Sequence, residues 1–161
     1  MSPDGGLLHP QNMSATCIIY HIVFRTKNNR PVIDVTNEEH LYRYVWRFVE
    51  DSKGRLYAIG GMPDHIHILT ELPPSIALSD FMRDLKVSTS KFMSYNRDKF
   101  PYFEGWGKEY FAETHSLSQK EILRNYIKGQ KQHHMKMSFR DELQQMYINC
   151  GIPINPYFLK D

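Results

Sequence analysis

Cysteine is nearly absent: Cys17 and Cys150 are the only two in 161 residues, too few for a disulfide framework or a cysteine-built zinc site. The fold must hold by core packing, in keeping with a reducing cytoplasm, and any metal must be taken by histidine, glutamine or carboxylate. Long apolar runs are missing too. No window approaches the roughly 20 residues of a membrane-spanning helix, and MSPDGGLLHPQNM lacks the basic start and apolar run of a secretory signal, so no membrane partner is expected. There are no repeats, no low-complexity tracts and little charge imbalance, the formal net charge being +2. What is present is ordinary for a folded chain: 41% hydrophobic, 13% aromatic and 24% charged residues, at a length that suits one domain. Residues 1–12 show no periodicity and read as a disordered leader or an expression remnant, with a single domain over 13–161.

Charge is distributed less evenly than its sum suggests. Between Lys120 and Arg140 six basic residues face the single Glu121, and between Arg83 and Lys99 five face Asp84 and Asp98. Such stretches fit either a phosphate-tracking surface or an ordinary solvated helix face.

Hydrophobic patterning gives the order of elements. SATCIIYHIVFR over Ser14–Arg25 is β-branched and aromatic with an apolar centre, which predicts a buried strand. Thr36–Val49 opens with the capping-box pair Thr36 and Glu39, then places Leu41, Tyr44, Val45 and Phe48 at helical spacing. Leu56–Gly61 and His65–Leu72 read as two strands parted by Gly60, Gly61 and Pro63, and Ser79–Asn96 returns to helical spacing. A strand over Lys108–His115, a helix over Ser118–His134 and an amphipathic helix over Ser138–Cys150 follow. The order β-α-β-β-α-β with trailing helices predicts an α+β, ferredoxin-like four-stranded antiparallel sheet.

Within this frame, MPDHIHIL at 62–69 puts His65 and His67 two apart on a strand, so their rings share one face while Ile66 and Ile68 point to the other. Paired imidazoles make a metal clamp, or simply two strand histidines. In NYIKGQKQHH at 125–134, Tyr126 and Gln130 lie four apart and share a helix face, which fits plain packing or a phenol beside a neutral ligand. Asp64 points away from the histidine face and suits a turn or a supporting contact. His133 and His134 lie beyond Gln130 and suit a helix end or DNA backbone contacts. His21 and His115, on other strands, read as structural or partly exposed. Gly129 weakens its helix by about 1 kcal/mol relative to alanine, which fits either a helix that shifts between two placements or a close helix crossing.

The motif strand, preceded by IGG and followed by ELPPS, resembles the HUH motif of single-tyrosine insertion-sequence transposases, which are similar to the REP-associated tyrosine transposases. The IIYHIVFRTKNNRPVI opening, LKVSTSKFM, WGKEYFA and YIKGQKQHHMKMSFRDEL appear in family order. The resemblance implies a nuclease that cuts and rejoins single-stranded DNA, with hairpin-bearing element ends as its substrate. It implies His65, His67 and Gln130 as ligands of Mg²⁺ or Mn²⁺, Tyr126 as the nucleophile that takes the 5′ phosphate, and a homodimer whose tyrosine helix can serve either subunit. Arg25, Lys27, Lys86, Lys91, Lys128 and Lys131 are the candidate phosphate contacts. Two other functions remain compatible with the sequence: a domesticated repeat-processing tyrosine nuclease, and a non-catalytic single-strand-binding module. An RNP-type aromatic pattern, which would favour the latter among ferredoxin-like folds, is not found.

Overall fold

Strand alternation separates two chemistries onto the two faces of one sheet. β1 (Ile19–Thr26), β2 (Arg55–Met62), β3 (His65–Glu71) and β4 (Trp106–His115) pair antiparallel in the order β2-β3-β1-β4. Helix α1 (Glu38–Asp51) joins β1 to β2, and α2 (Leu78–Ser94) joins β3 to β4, so the expected ferredoxin-like plan is the fold of this chain. These elements come from a computed structural model that describes residues 14–159; the predicted leader at 1–12 lies outside the described residues. Among the described residues no helix is long and apolar enough to cross a membrane.

One sheet face carries Ile22 and Phe24 of β1 with Ile66 and Ile68 of β3, and they pack with Leu41, Val45 and Val49 of α1 and Phe81 and Leu85 of α2 into the main core. The other face presents His21, Val23 and Arg25, which stand opposite Leu69, His67 and His65 of β3, while Val23 and His21 also face Phe111 and Glu113 of β4. This second face is covered by α3 (Lys120–Lys128), α4 (Gln130–His133) and α5 (Phe139–Cys150). Two small apolar clusters pin that cover. Ile127 packs with Ile19, Ala58 and Leu69 under α3, and Leu143, Met146, Tyr147, Phe158 and Leu159 pack on Val23 and Phe111 under α5. Coverage of both faces is why β1 reads as a nearly unbroken apolar run rather than an alternating one.

Three local expectations need correction. The first strand begins at Ile19, not Ser14, because its partner β3 ends at Glu71 opposite Ile19 and the following Pro73 and Pro74 offer no N–H to extend the ladder. The Thr36 capping box does not form: Asp34 accepts both the backbone N–H and the hydroxyl of Thr36 at 2.9 and 2.8 Å, and α1 starts at Glu38. The single helix expected over Ser118–His134 is broken at Gly129, where ψ reaches 14°. α5 starts as expected, its N-cap Ser138 accepting the Asp141 N–H at 3.1 Å.

The close crossing belongs to another glycine. A Cβ built on Gly60 would lie 2.3 Å from the Ile127 carbonyl oxygen, so only glycine lets α3 sit this close to β2. Gly60→Ala is expected to push α3 off β2, lowering stability in urea by about 1–3 kcal/mol, the usual cost of overpacking, and to displace Tyr126 with it. An unchanged urea midpoint would contradict this packing.

Candidate active site

The period of two in β3 places His65 and His67 side by side on the covered face, each 0% exposed, with ring centroids 5.2 Å apart. Each ring has a partner behind it. His65 Nδ1 donates to Asp64 Oδ1 at 2.7 Å, the supporting contact that suited this aspartate. His67 Nδ1 meets His21 Nε2 at 2.9 Å, and His21 Nδ1 meets Glu113 Oε1 at 3.0 Å. Phe139 stacks on His65 at 3.9 Å between centroids, closing the α5 side.

α3 and α4 bring the other predicted residues to the same point. The Tyr126 ring stands edge-on to His67 with centroids 5.8 Å apart, and Gln130, buried at 1% exposure, places its Oε1 3.3 Å from His65 Nε2. The break at Gly129 turns α4 so that His134 also comes back to the cluster, its Nε2 lying 2.9 Å from Gln130 Oε1. His134 lies one turn beyond Gln130, and sequence spacing set it outside because a further turn along the helix need not converge on the same point.

The residue that joins these groups is Glu142 of α5, which sequence reasoning missed. Its carboxylate is 2.9 Å from His67 Nε2, 3.6 Å from His65 Nε2 and 3.3 Å from His134 Nε2. It accepts hydrogen bonds from the Tyr126 hydroxyl and, at 3.1 Å, from Gln130 Nε2. The available signal was an acidic residue on the inward stripe of α5, since Glu142 is buried beside Leu143, Met146 and Tyr147. A carboxylate there needs partners.

Burial would raise the Glu142 carboxyl, but the facing rings of His134, His65 and His67 outweigh this and hold it far below the usual carboxylate range. Burial pushes His67 down to about 3. For His65 burial opposes the charge, yet the hydrogen bond to Asp64 and the nearby Glu142 carboxylate prevail and raise it. Burial and the Glu142 charge push the Tyr126 phenol well above its ordinary value. Three ring nitrogens and a carboxylate oxygen therefore converge, an arrangement that calls for a positive centre between them, whether proton or metal. The donor atoms of His65, His67, His134 and Glu142 all lie within 4.8 Å of one another, and the mixed nitrogen and oxygen set, with the Gln130 amide oxygen beside it, fits a divalent cation.

The basic candidates divide into two groups. Arg25 is buried, and its guanidinium donates to Asn29 Oδ1, Glu109 Oε2 and the Tyr157 carbonyl at 3.2, 3.2 and 2.9 Å. Lys86 donates to the carbonyls of Gly107, Lys108 and Glu109 at 2.9, 3.2 and 3.2 Å, and burial pushes its amine down to about 8. Lys131 bridges Glu38 and the Gly61 carbonyl at 2.8 and 3.0 Å. These three cross-link elements of the fold, whereas Lys27, Lys91 and Lys128 stand exposed.

Comparison with known proteins agrees with this frame. A family model described as "Transposase IS200 like" matches residues 14–130, a span that ends before His134 and Glu142. The transposase for insertion sequence element IS200 of Salmonella typhimurium is 30% identical over 115 residues, covering 69% of this chain and 75% of that protein. The ISDra2 transposase TnpA of Deinococcus radiodurans is 32% identical over 115 residues, 69% of this chain and 82% of that protein. Among solved structures, a candidate transposase from Deinococcus radiodurans superposes with a TM-score of 0.56 at 24% identity, over 71% of this chain and 91% of that one. A REP-associated tyrosine transposase bound to a REP hairpin superposes with a TM-score of 0.51 at 15% identity, over 68% of this chain and 64% of that one. At these identities the two structures speak for the fold, while the family model and the sequence relatives go further: this chain belongs to the IS200-like transposase family.

Proposed function

We propose that the chain cleaves and rejoins single-stranded DNA at hairpin-bearing element ends through a covalent 5′-phosphotyrosine on Tyr126, with Mg²⁺ or Mn²⁺ held by His65, His67 and Gln130. The observation that carries this reading is the meeting of the Tyr126 hydroxyl, both motif histidines and Gln130 on the Glu142 carboxylate. In the cleavage step the Tyr126 oxygen attacks phosphorus, the phosphorus–O3′ bond breaks, and the departing oxygen takes a proton from water to become the 3′ hydroxyl. Glu142, already accepting the phenol hydrogen bond, is placed to take the phenol proton. Rejoining is the reverse, a 3′ hydroxyl displacing the tyrosine. The bond energy kept in the phosphotyrosine is what allows strand transfer rather than hydrolysis. When bound, the divalent ion supplies Lewis-acid polarisation of the scissile phosphate; His65, His67 and Gln130 would hold it, with Glu142 and His134 as further donors.

The test is incubation of the protein with hairpin-bearing single-stranded DNA and Mg²⁺, followed by a denaturing gel for a protein–DNA adduct. Glu142→Gln keeps the shape of the acceptor and removes its charge. It is expected to slow adduct formation by about 10²-fold, the lower end for loss of a proton acceptor; a rate equal to wild type removes Glu142 from the chemistry.

DNA must reach groups that are at most 2% exposed, as His65, His67, Gln130 and Glu142 are. The break at Gly129 lets α4 swing while α3 keeps its seat on Gly60. Amide hydrogen exchange across 129–137 is therefore expected to be faster than in β1 and β3. Exchange as slow as in the strands, with and without DNA, contradicts this route of entry. Lys27, Lys91 and Lys128, being exposed, are the proposed phosphate contacts, and the protein is proposed to act as a homodimer in the cytoplasm.

A further inference from the structure

A chain of three side chains runs across the sheet behind the site. Glu113 on β4 stands opposite His21 on β1, and His21 lies one register step from His67 on β3. The links are short and shielded: Glu113 Oε1 to His21 Nδ1 is 3.0 Å, His21 Nε2 to His67 Nδ1 is 2.9 Å, and the two rings lie 16° from parallel. His21 is 2% exposed and His67 0%, so water does not substitute for either partner.

Hydrogen-bond chemistry decides what this chain does. A neutral imidazole has one N–H and one lone pair, and a single proton occupies the bond between His21 and His67. For His67 to offer its Nε2 lone pair to a cation, its proton must sit on Nδ1 and be donated to His21. His21 Nε2 must then be bare, so the His21 proton sits on Nδ1 and is donated to Glu113. Only an acceptor with no proton of its own can end such a chain, and the carboxylate is that acceptor. Glu113 is itself held there, accepting from Cys150 Sγ at 3.1 Å, with His115 Nε2 lying 2.9 Å from its Oε1.

The reversed chain gives the opposite result. With the shared proton on His21 Nε2, neutral His67 carries its proton on Nε2 and cannot bind a metal, while the bare Nδ1 of His21 faces the Glu113 carboxylate. That contact of two acceptors becomes favourable only with a cation between them, and the donor atoms of His21, Glu113 and His115 do lie within 4.8 Å of one another. With neutral rings, the two clusters thus compete through one proton.

We propose that Glu113 and His21 are positioning residues which, through the Glu113–His21–His67 hydrogen-bond chain, hold His67 in the tautomer that presents its Nε2 to the divalent cation of the active site. The proposal rests on His67 being a metal ligand. His65 receives the same service directly from Asp64, so each motif histidine has a carboxylate behind it, one adjacent and one two hydrogen bonds away. Such outer partners raise the basicity of a ligand and fix its ring, and losing one typically costs 10–100-fold in metal affinity.

The experiment is Mn²⁺ titration by calorimetry of the full chain and of His21→Phe, Glu113→Gln and His67→Ala, together with nitrogen-15 NMR of the histidine rings in saturating Mg²⁺. His21→Phe keeps the ring and removes both nitrogens; it is expected to weaken Mn²⁺ binding about 10–100-fold, with Glu113→Gln weakening it in the same direction. In the wild-type protein with Mg²⁺, His67 and His21 are each expected to carry their proton on Nδ1, a readout that a merely structural role would not move and that needs no variant to fold. A bare His67 Nδ1 in that spectrum overturns the proposal, as does wild-type Mn²⁺ affinity in folded His21→Phe and Glu113→Gln. Mn²⁺ affinity that falls more in His115→Ala than in His67→Ala overturns it too, since the ion would then occupy the other cluster. Wild-type and His67→Ala proteins taking up Mn²⁺ alike instead overturns the metal site itself, and the proposal with it.

Discussion

Tyr126→Phe is expected to abolish the covalent protein–DNA adduct while leaving hairpin-bearing single-stranded DNA bound. The substitution removes one oxygen. It keeps the ring that packs beneath α3 beside Ile127 and Leu123, so the Gly60 crossing and the α3 seat stay intact. What is lost is the only group that the proposed mechanism joins to phosphorus, and therefore the expected effect is loss of signal rather than slower accumulation. The proposed phosphate contacts Lys27, Lys91 and Lys128 keep their side chains in this variant. The variant also removes a hydrogen bond to the Glu142 carboxylate, worth about 1.5–3 kcal/mol for a charged acceptor. A fall in urea stability within that range is consistent with the geometry, and an adduct that survives the change is not.

His67→Ala is the second large effect. It is expected to slow cleavage by about 10²-fold or more, on the scale of removing a preorganised electrostatic group from a reaction centre, and added Mg²⁺ should not restore the rate. His67 Nε2 is the ring nitrogen nearest the Glu142 carboxylate, at 2.9 Å against 3.0 Å for His133 and 3.6 Å for His65. His134 reaches the same carboxylate at 3.3 Å, but from α4, beyond the break at Gly129. Full activity of His67→Ala at ordinary Mg²⁺ would mean that the paired histidines serve the fold alone.

Much of this site was legible in the sequence, for a physical reason. A strand has a side-chain period of two, so His65 and His67 had to share a face once β3 was recognised, and Ile66 with Ile68 had to enter the core. Tyr126 and Gln130 meet the pair because Tyr126 lies three residues before Gly129 and Gln130 directly after it, close enough that the break does not separate them. His134, four residues past Gln130, is its helical neighbour, but spacing alone does not say how many turns of the helix face the site. Glu142 was hidden differently. Its partners come from β3, α3 and α4, and nothing in the local pattern of α5 states which sheet face the helix covers; only an acidic residue on an apolar stripe marked it. The charged candidates were less legible. Arg25 and Lys86 carry the charge a phosphate contact needs, yet long basic side chains also satisfy carbonyls, and in this structure both donate to backbone carbonyls. Thr36 and Glu39 matched a capping box, but Asp34, two residues upstream, offered the threonine a better acceptor than the helix did.

The central claim is that Tyr126 becomes the covalent carrier of the cut strand. The most direct measurement is mass spectrometry of the nucleotide-linked peptide released by protease from the adduct formed by wild-type protein, hairpin-bearing single-stranded DNA and Mg²⁺. The account predicts a 5′-phosphodiester on the oxygen of Tyr126 and a free 3′ hydroxyl on the other fragment. A linkage to any other residue, or cleaved DNA with no linked peptide, contradicts it.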